Sequence, residues 1–118
     1  MGRLIAILFL SRDLAHREHL RTSSYAQHMA LGGFYEDIIG LADSLAEAYQ
    51  GRNGLIGSVP LLKDDAEGPI DKVLEKHLSW VEKSRYTAVE KTETALQNMI
   101  DEIVALYLST LYKLRYLK

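Results

Sequence analysis

Three of the four histidines lie close together near the N-terminus, where they could contribute to a metal site. His16, His19 and His28 occur with Asp13 within sixteen residues, on both sides of a short polar turn. Neutral imidazole and carboxylate are ligands that suit iron, zinc and manganese. No local zinc-peptidase motif such as HExxH is present, so the metal is not specified. A lone histidine on an apolar helix face is usually a satisfied core residue, and that alternative stays open for His16.

Glu36, Asp43 and Glu47 form a row of carboxylates along a helix predicted for residues 23–50. On a helical wheel they fall within about 40° of one another, at one border of the apolar stripe. His28 faces the same side, but Asp43 lies about 22 Å further along the helix axis. If His28 shares a metal ion with Asp43 and Glu47, the two carboxylates must come from a second copy of the helix that runs antiparallel, as in a two-fold dimer. The alternative is a solvated charge row beside a partly buried histidine.

Two helices are predicted to carry these residues, near 3–20 and 23–50. The first lacks glycine and proline, and its apolar residues recur at intervals of three or four. In the second, Ser24 and Gln27 have the spacing of a capping box, and Gly51 is expected to end the helix.

Two further helices are predicted near 70–86 and 92–117. Residues 70–118 contain neither glycine nor proline, so the break between them is assigned to a polar tract in which Thr87 and Glu90 have capping-box spacing. A single continuous helix is the alternative. His77 and Trp80 are interpreted as packing residues. The last helix is apolar on more than one side, which predicts burial against both its own bundle and another subunit.

The segment between the second and third helices is predicted to be a crossover rather than a strand. Residues 51–69 hold four of the eight glycines and both prolines, and show no alternating apolar pattern. The four predicted helices indicate an all-α fold. Because their connections are short, long and short in turn, the expected architecture is a ferritin-like four-helix bundle with one long crossover between helices 2 and 3. The whole chain, residues 1–118, is predicted to form one domain.

Composition excludes several functional classes. The chain has no cysteine, which excludes disulfides, thiolate zinc sites and cysteine nucleophiles. A net charge of −2 with interspersed signs disfavours nucleic acid as a partner. The apolar run at residues 4–10 is too short to span a bilayer. A cytoplasmic location without membrane association is therefore expected.

Histidine and carboxylate spacing resembles the ferroxidase signature of the Dps proteins, which are starvation-inducible and ferritin-like. The matching residues are His16, His28, Asp43 and Glu47, and the last helix, LQNMIDEIVALYLSTLYKLRYL, also resembles that of Dps. The stretches SRDLAHREHLRTSSYAQH, FYEDI and AEAYQG are similar to a family of phage-encoded ferritin-like proteins. This second resemblance covers nearly the whole chain and places the protein in the host cytoplasm.

The resemblance to Dps implies an iron site between subunits, Fe(II) oxidation and a homo-oligomeric cage with two-fold interfaces. It assigns the four matching residues as metal ligands, with Tyr25 or Tyr35 as neighbouring redox groups. Gly32 stands where Dps has a second carboxylate, and Glu36 is the candidate replacement. Zinc and manganese remain alternatives to iron.

A second hypothesis is a non-enzymatic helical oligomer encoded by a phage. It would bind a host protein or a small ligand, and its candidate contact residues are Arg12, His19, Arg21 and Arg52. Metal content distinguishes the two hypotheses, and whether the protein is an enzyme depends on which one holds.

Overall fold

A computed structural model describes residues 1–63 and 68–118 of the chain. These residues form four helices, α1 (Gly2–Arg21), α2 (Tyr25–Asn53), α3 (Ile70–Ala88) and α4 (Thr94–Tyr116), and contain no strand. The predicted all-α class and the four separate helices are confirmed. Residues 64–67 of the predicted crossover lie outside the described part of the chain.

Each helix packs closely against two others, which gives a four-helix bundle. Helix α1 contacts α2 and α3, and α4 contacts the same two helices. The short connections at residues 22–24 and 89–93 make α1–α2 and α3–α4 antiparallel neighbours. The longer connection from α2 to α3 passes the start of α1, where a Cβ placed on Gly2 would lie 3.7 Å from Pro60 Cδ.

The start of α2 has the predicted N-cap but not the reciprocal half of the capping box, because the Ser24 backbone N–H donates to Thr22 Oγ1 at 3.1 Å instead. The end of α2 also differs from the prediction. Ser24 is the N-cap and its hydroxyl accepts a hydrogen bond from the Gln27 backbone N–H at 3.2 Å. The prediction that Gly51 ends the helix was wrong, because α2 continues to Asn53 and its C-cap is Gly54 with φ 88°. Gly51 takes ordinary helical angles, so the glycine that supplies the positive φ lies three residues later.

The junction between α3 and α4 also differs from the predicted capping box. Thr87 lies inside α3, the chain turns extended at Val89, and Glu93 is the N-cap of α4 without a side-chain cap bond. The alternative of one continuous helix was wrong as well. The break is held by a buried side chain instead, since Arg85 donates hydrogen bonds to Gln97 Oε1 and to the Gln97 carbonyl, both at 2.8 Å.

Apolar side chains from all four helices meet in one core. Phe34 of α2 packs edge to face on Tyr107 of α4, with ring centroids 5.1 Å apart. A chain of hydrogen bonds crosses this core, because the Tyr107 hydroxyl donates to Ser11 Oγ at 2.6 Å and Ser11 Oγ lies 2.7 Å from His77 Nδ1. All three side chains are buried, which confirms the packing role predicted for His77.

The excess apolar surface predicted for the last helix is present in the single chain. Leu108, Tyr112 and Tyr116 follow one another at intervals of four along α4 and are 54%, 55% and 72% exposed. Tyr25 and Met29, near the start of α2, are 73% and 55% exposed. In the described part of the chain, no helix combines the length and the apolar character needed to cross a membrane.

Candidate functional site

Four aromatic rings gather in the seam between α1 and α2. His16 and His19 come from α1, and His28 and Tyr35 come from α2. His16 stacks on Tyr35 with ring centroids 4.0 Å apart and planes 7° apart, while His19 stacks on His28 at 3.7 Å and 19°. All four side chains are part-buried. We call this group the histidine seam.

The seam forms because the α1–α2 hairpin is tight and one position on α2 lacks a side chain. A Cβ placed on Gly32 would lie 3.2 Å from His19 Cε1 and 3.4 Å from His19 Nδ1, so the imidazole occupies the space above this glycine. A carboxylate at position 32, as the resemblance to Dps would require, would collide with His19. The absence of a side chain at Gly32 therefore provides the space in which the His19 ring stacks on His28.

His19 and His28 fix each other's tautomer through reciprocal hydrogen bonds to backbone carbonyls. His19 Nδ1 lies 2.7 Å from the His28 carbonyl oxygen, and His28 Nδ1 lies 2.8 Å from the His19 carbonyl oxygen. Because a carbonyl oxygen can only accept, each Nδ1 carries the proton and donates it. In the neutral rings each Nε2 is then left with a free lone pair, which can bind a metal ion or accept a proton.

The histidines predicted to share a site are arranged differently from the prediction. His28 stacks on His19, whereas His16 stacks on Tyr35. The second hypothesis places His19 among the contact residues for a ligand, whereas the structure stacks His19 on His28. The density of histidine in the sequence did predict the cluster, while the pairing depends on the register of the hairpin and on the space above Gly32.

The predicted carboxylates lie on the outward side of α2. Glu36, Asp43 and Glu47 are all exposed. Among the described residues, no three histidine, aspartate or glutamate side chains come close enough to hold a metal ion within one chain. The predicted site that spans two subunits therefore stays a prediction.

The arginines of the second hypothesis have different environments. Arg21 pairs with Glu18 at 2.8 Å, and this hydrogen bond raises the pKa of the Arg21 guanidinium. Arg52 lies 3.5 Å from Glu93. Arg12 is part-buried, and its Nε atom is buried without a hydrogen-bond partner in the described structure. Arg12 is thus the arginine of this set that has a buried, unpaired donor.

Residues 19–114 match the model of DUF5856, a family of unknown function, and the chain belongs to this family. No curated protein and no solved structure matches the chain. The matched range contains His19, His28 and the carboxylates of α2, whereas Arg12 and His16 lie before it.

Proposed function

We propose that this member of the DUF5856 family is a helical homo-oligomer that binds a divalent transition metal between subunits, at the histidine seam. The observation that carries the proposal is the reciprocal hydrogen bonding of His19 and His28, which leaves both Nε2 atoms as acceptors. Histidines that bind metals commonly donate their other ring N–H to a backbone carbonyl in this way. His28 would supply one nitrogen ligand through its free Nε2, and the second would be His16, as the resemblance to Dps implies, or His19.

The oxygen ligands would come from a neighbouring copy of α2. The outward side of this helix, which we call the outer face of α2, consists of the exposed residues Tyr25, Met29, Gly33, Glu36, Gly40, Asp43 and Glu47. These positions fall within about 80° on a helical wheel at 100° per residue. Two such faces can pack against each other across a two-fold axis.

The glycines of the outer face favour one register of that packing. A Cβ on Gly33 or Gly40 would meet nothing within 4 Å, so neither glycine is required by contacts within the chain. Glycine in a helix interior costs about 1 kcal/mol relative to alanine, but it allows a second backbone to approach closely. An antiparallel pair that opposes Gly33 to Gly40 of the partner places His28 level with position 45, midway between the partner's Asp43 and Glu47. The register suggested by the glycines thus coincides with the one that the metal site needs.

Connectivity supports iron as the ion. The four helices are joined by a short, a long and a short connection, an order that also occurs in ferritin-like bundles, where carboxylates and histidines bind iron. The proposed reaction is oxidation of bound Fe(II) to Fe(III) by dissolved dioxygen, in which four Fe(II) ions give one electron each and dioxygen takes the four electrons and four protons from the solvent to form two water molecules. Tyr35, stacked on His16, would be the neighbouring redox group. Zinc and manganese suit the same ligands, and Glu36 would be the additional carboxylate.

The test is metal stoichiometry and Fe(II) oxidation for metal-free protein whose mass in solution is measured in parallel. We expect His28→Ala and Glu47→Gln to lose metal and slow the oxidation, because each removes a ligand. Glu82→Gln, at an exposed position of α3, is the matched control and should behave as wild type. Absence of bound metal in wild type, or equal rates in all variants, would refute the metal-binding function.

The second candidate function is a non-enzymatic oligomer that binds a host protein or a small ligand through Arg12. The buried Nε of Arg12 favours it, since a buried donor without a partner costs about 1 to 3 kcal/mol unless something outside the chain accepts its hydrogen bond. Under this hypothesis Arg12→Gln abolishes binding while the protein carries no metal. Bound metal that depends on His28 would decide in favour of the first function.

A further inference from the structure

A cavity of about 550 Å³ opens between α1, α3 and the connection from α2 to α3, which we call the linker. It does not include the histidine seam. Its volume is in the usual range for small-molecule sites, which is about 300 to 1,000 Å³. We call it the α1–α3 cavity.

Positive charge converges on this cavity from three separate segments. Arg3 comes from α1, Lys63 from the linker and Lys83 from α3. None of the three makes an ion pair with any residue that the structure describes, whereas Arg17, Arg21, Arg52, Arg85 and Arg115 all do. The described lining residues include no carboxylate. In a chain with a net charge of −2, such a group favours an anion.

Beside Lys76, His77 and Ser79, the rest of the described lining is apolar and aromatic. Ile7 and Leu10 of α1, Leu62 of the linker and Trp80 of α3 line the cavity, and each is part-buried. An inorganic anion would leave this apolar surface in contact with water. A molecule with an apolar body would cover the surface and gain the free energy of apolar burial.

We propose that the α1–α3 cavity binds a small amphipathic anion, with its anionic headgroup beside Arg3, Lys63 and Lys83 and its alkyl or aromatic body against Trp80, Ile7 and Leu62. The headgroup chemistry is a carboxylate or sulfate, which the guanidinium and ammonium groups pair with directly. This site is independent of the metal-binding proposal, because none of its residues belongs to the histidine seam or to the outer face of α2.

Trp80 makes the proposal directly testable, since it is the only tryptophan of the chain. Dodecanoate is titrated into the full chain below its micelle concentration, and the Trp80 emission and the heat of binding are recorded. The matched probe is dodecyltrimethylammonium, which has the same alkyl length and the opposite charge. We expect saturable binding of one dodecanoate per chain with a change in Trp80 emission, and binding of the cationic probe that is weaker by about ten-fold or more.

Variants locate the headgroup. Arg3→Gln and Lys83→Gln should each weaken dodecanoate binding by about two- to five-fold, the range expected for losing one solvent-accessible ion pair. Lys113→Gln is the control, because Lys113 lines a different cavity, beside Tyr25 and Met29. High salt should weaken binding to wild type, which tests the charge dependence without any substitution.

Three results would overturn the proposal. They are equal affinity for the two probes, dodecanoate binding without a response of Trp80, and an unchanged affinity in both cavity variants that retain wild-type helicity by circular dichroism. None of these outcomes bears on metal binding, so failure here leaves the proposed function unaffected.

Discussion

At the residue scale, the contact between His19 and Gly32 is the feature on which the histidine seam depends. Gly32→Ala places a methyl group 3.2 Å from His19 Cε1, so the ring must shift and its reciprocal hydrogen bonds with His28 are strained. Overpacking of this kind costs about 1 to 3 kcal/mol and the helix propensity of alanine offsets about 1 kcal/mol, so we expect Gly32→Ala to be less stable than Gly51→Ala by about 1 to 3 kcal/mol. The control is Gly51→Ala, where a Cβ meets nothing within 4 Å and alanine should stabilise α2 slightly. Urea unfolding measures both, and equal stability of the two variants would contradict the expected clash.

A second prediction at this scale concerns Tyr107. Burial raises the pKa of its hydroxyl well above the ordinary value of about 10, and the hydrogen bond with Ser11 lowers it by less. Above about pH 10 the unfolded chain releases this proton while the folded chain keeps it, so stability falls by up to about 1.4 kcal/mol per pH unit. Tyr107→Phe should remove the decrease in the free energy of unfolding that this proton causes above about pH 10. Tyr116→Phe, which changes an exposed tyrosine, should not remove it. Urea unfolding at pH 9 and pH 11 provides the comparison, and a loss that is identical in wild type and Tyr107→Phe would show that Tyr107 is not its source.

Residue types were predictable from the sequence, but their partners were not. The density of histidine indicated a cluster, since helical spacing alone puts His16, His19 and His28 on the same seam. Which rings stack depends on the register of α1 against α2, and that register follows from packing between distant residues. Gly32 carries a signal that was available, because a glycine opposite a histidine on a tight hairpin indicates a close approach.

At the scale of elements, the break between α3 and α4 is fixed by a long side-chain contact. Gln97 accepts a hydrogen bond from Arg85 and donates to the Val89 carbonyl at 3.0 Å, so it holds both helices and the turn between them. Gln97→Ala removes the Oε1 acceptor of the buried Arg85 and the amide donor to the Val89 carbonyl, and we expect a loss of about 1 to 3 kcal/mol in the free energy of unfolding. Asn98→Ala, an exposed neighbour on the same helix, should have little effect. Thermal unfolding of the two variants measures the difference in their stability. Equal unfolding temperatures would mean that other contacts hold the junction between α3 and α4.

Local patterns located the helices to within about three residues but misplaced two of their ends. Ser24 and Gln27 gave the correct start of α2, because an N-cap is a local interaction between side chain and backbone. Thr87 and Glu90 have the same spacing without forming a cap, since Arg85 and Gln97 fix the turn from a distance. At Gly51 the helix continues because glycine permits a positive φ without requiring it.

At the scale of the whole molecule, the surface carries several exposed aromatic side chains, which we propose take part in contacts between copies of the chain. Tyr25, Met29, Tyr112 and Tyr116 are more than half exposed, and tyrosine side chains have areas of about 150 to 250 Å² each. Exposed apolar surface on this scale is typical of protein interfaces. The helix pattern and the long connection were predictable because they depend on glycine placement and apolar period. How copies of the chain associate depends on surfaces that no pattern within one helix specifies.

The final prediction tests that association through the glycines of the outer face of α2. If Gly33 of one copy opposes Gly40 of the other, a methyl group at either position separates the two helices, so Gly33→Ala and Gly40→Ala should shift the oligomer toward monomer. In the single chain both positions are open, so the same changes should stabilise the monomer by up to about 1 kcal/mol through helix propensity. Weaker association together with a more stable monomer is the expected result for both variants. Gly51→Ala, outside the proposed contact, should leave association unchanged.

Light scattering across micromolar concentrations measures the mass of the oligomer, and urea unfolding at high dilution measures the stability of the monomer. A wild-type mass of about 13 kDa throughout, or unchanged association in both variants, would exclude this two-fold contact and with it the proposed source of the carboxylate ligands.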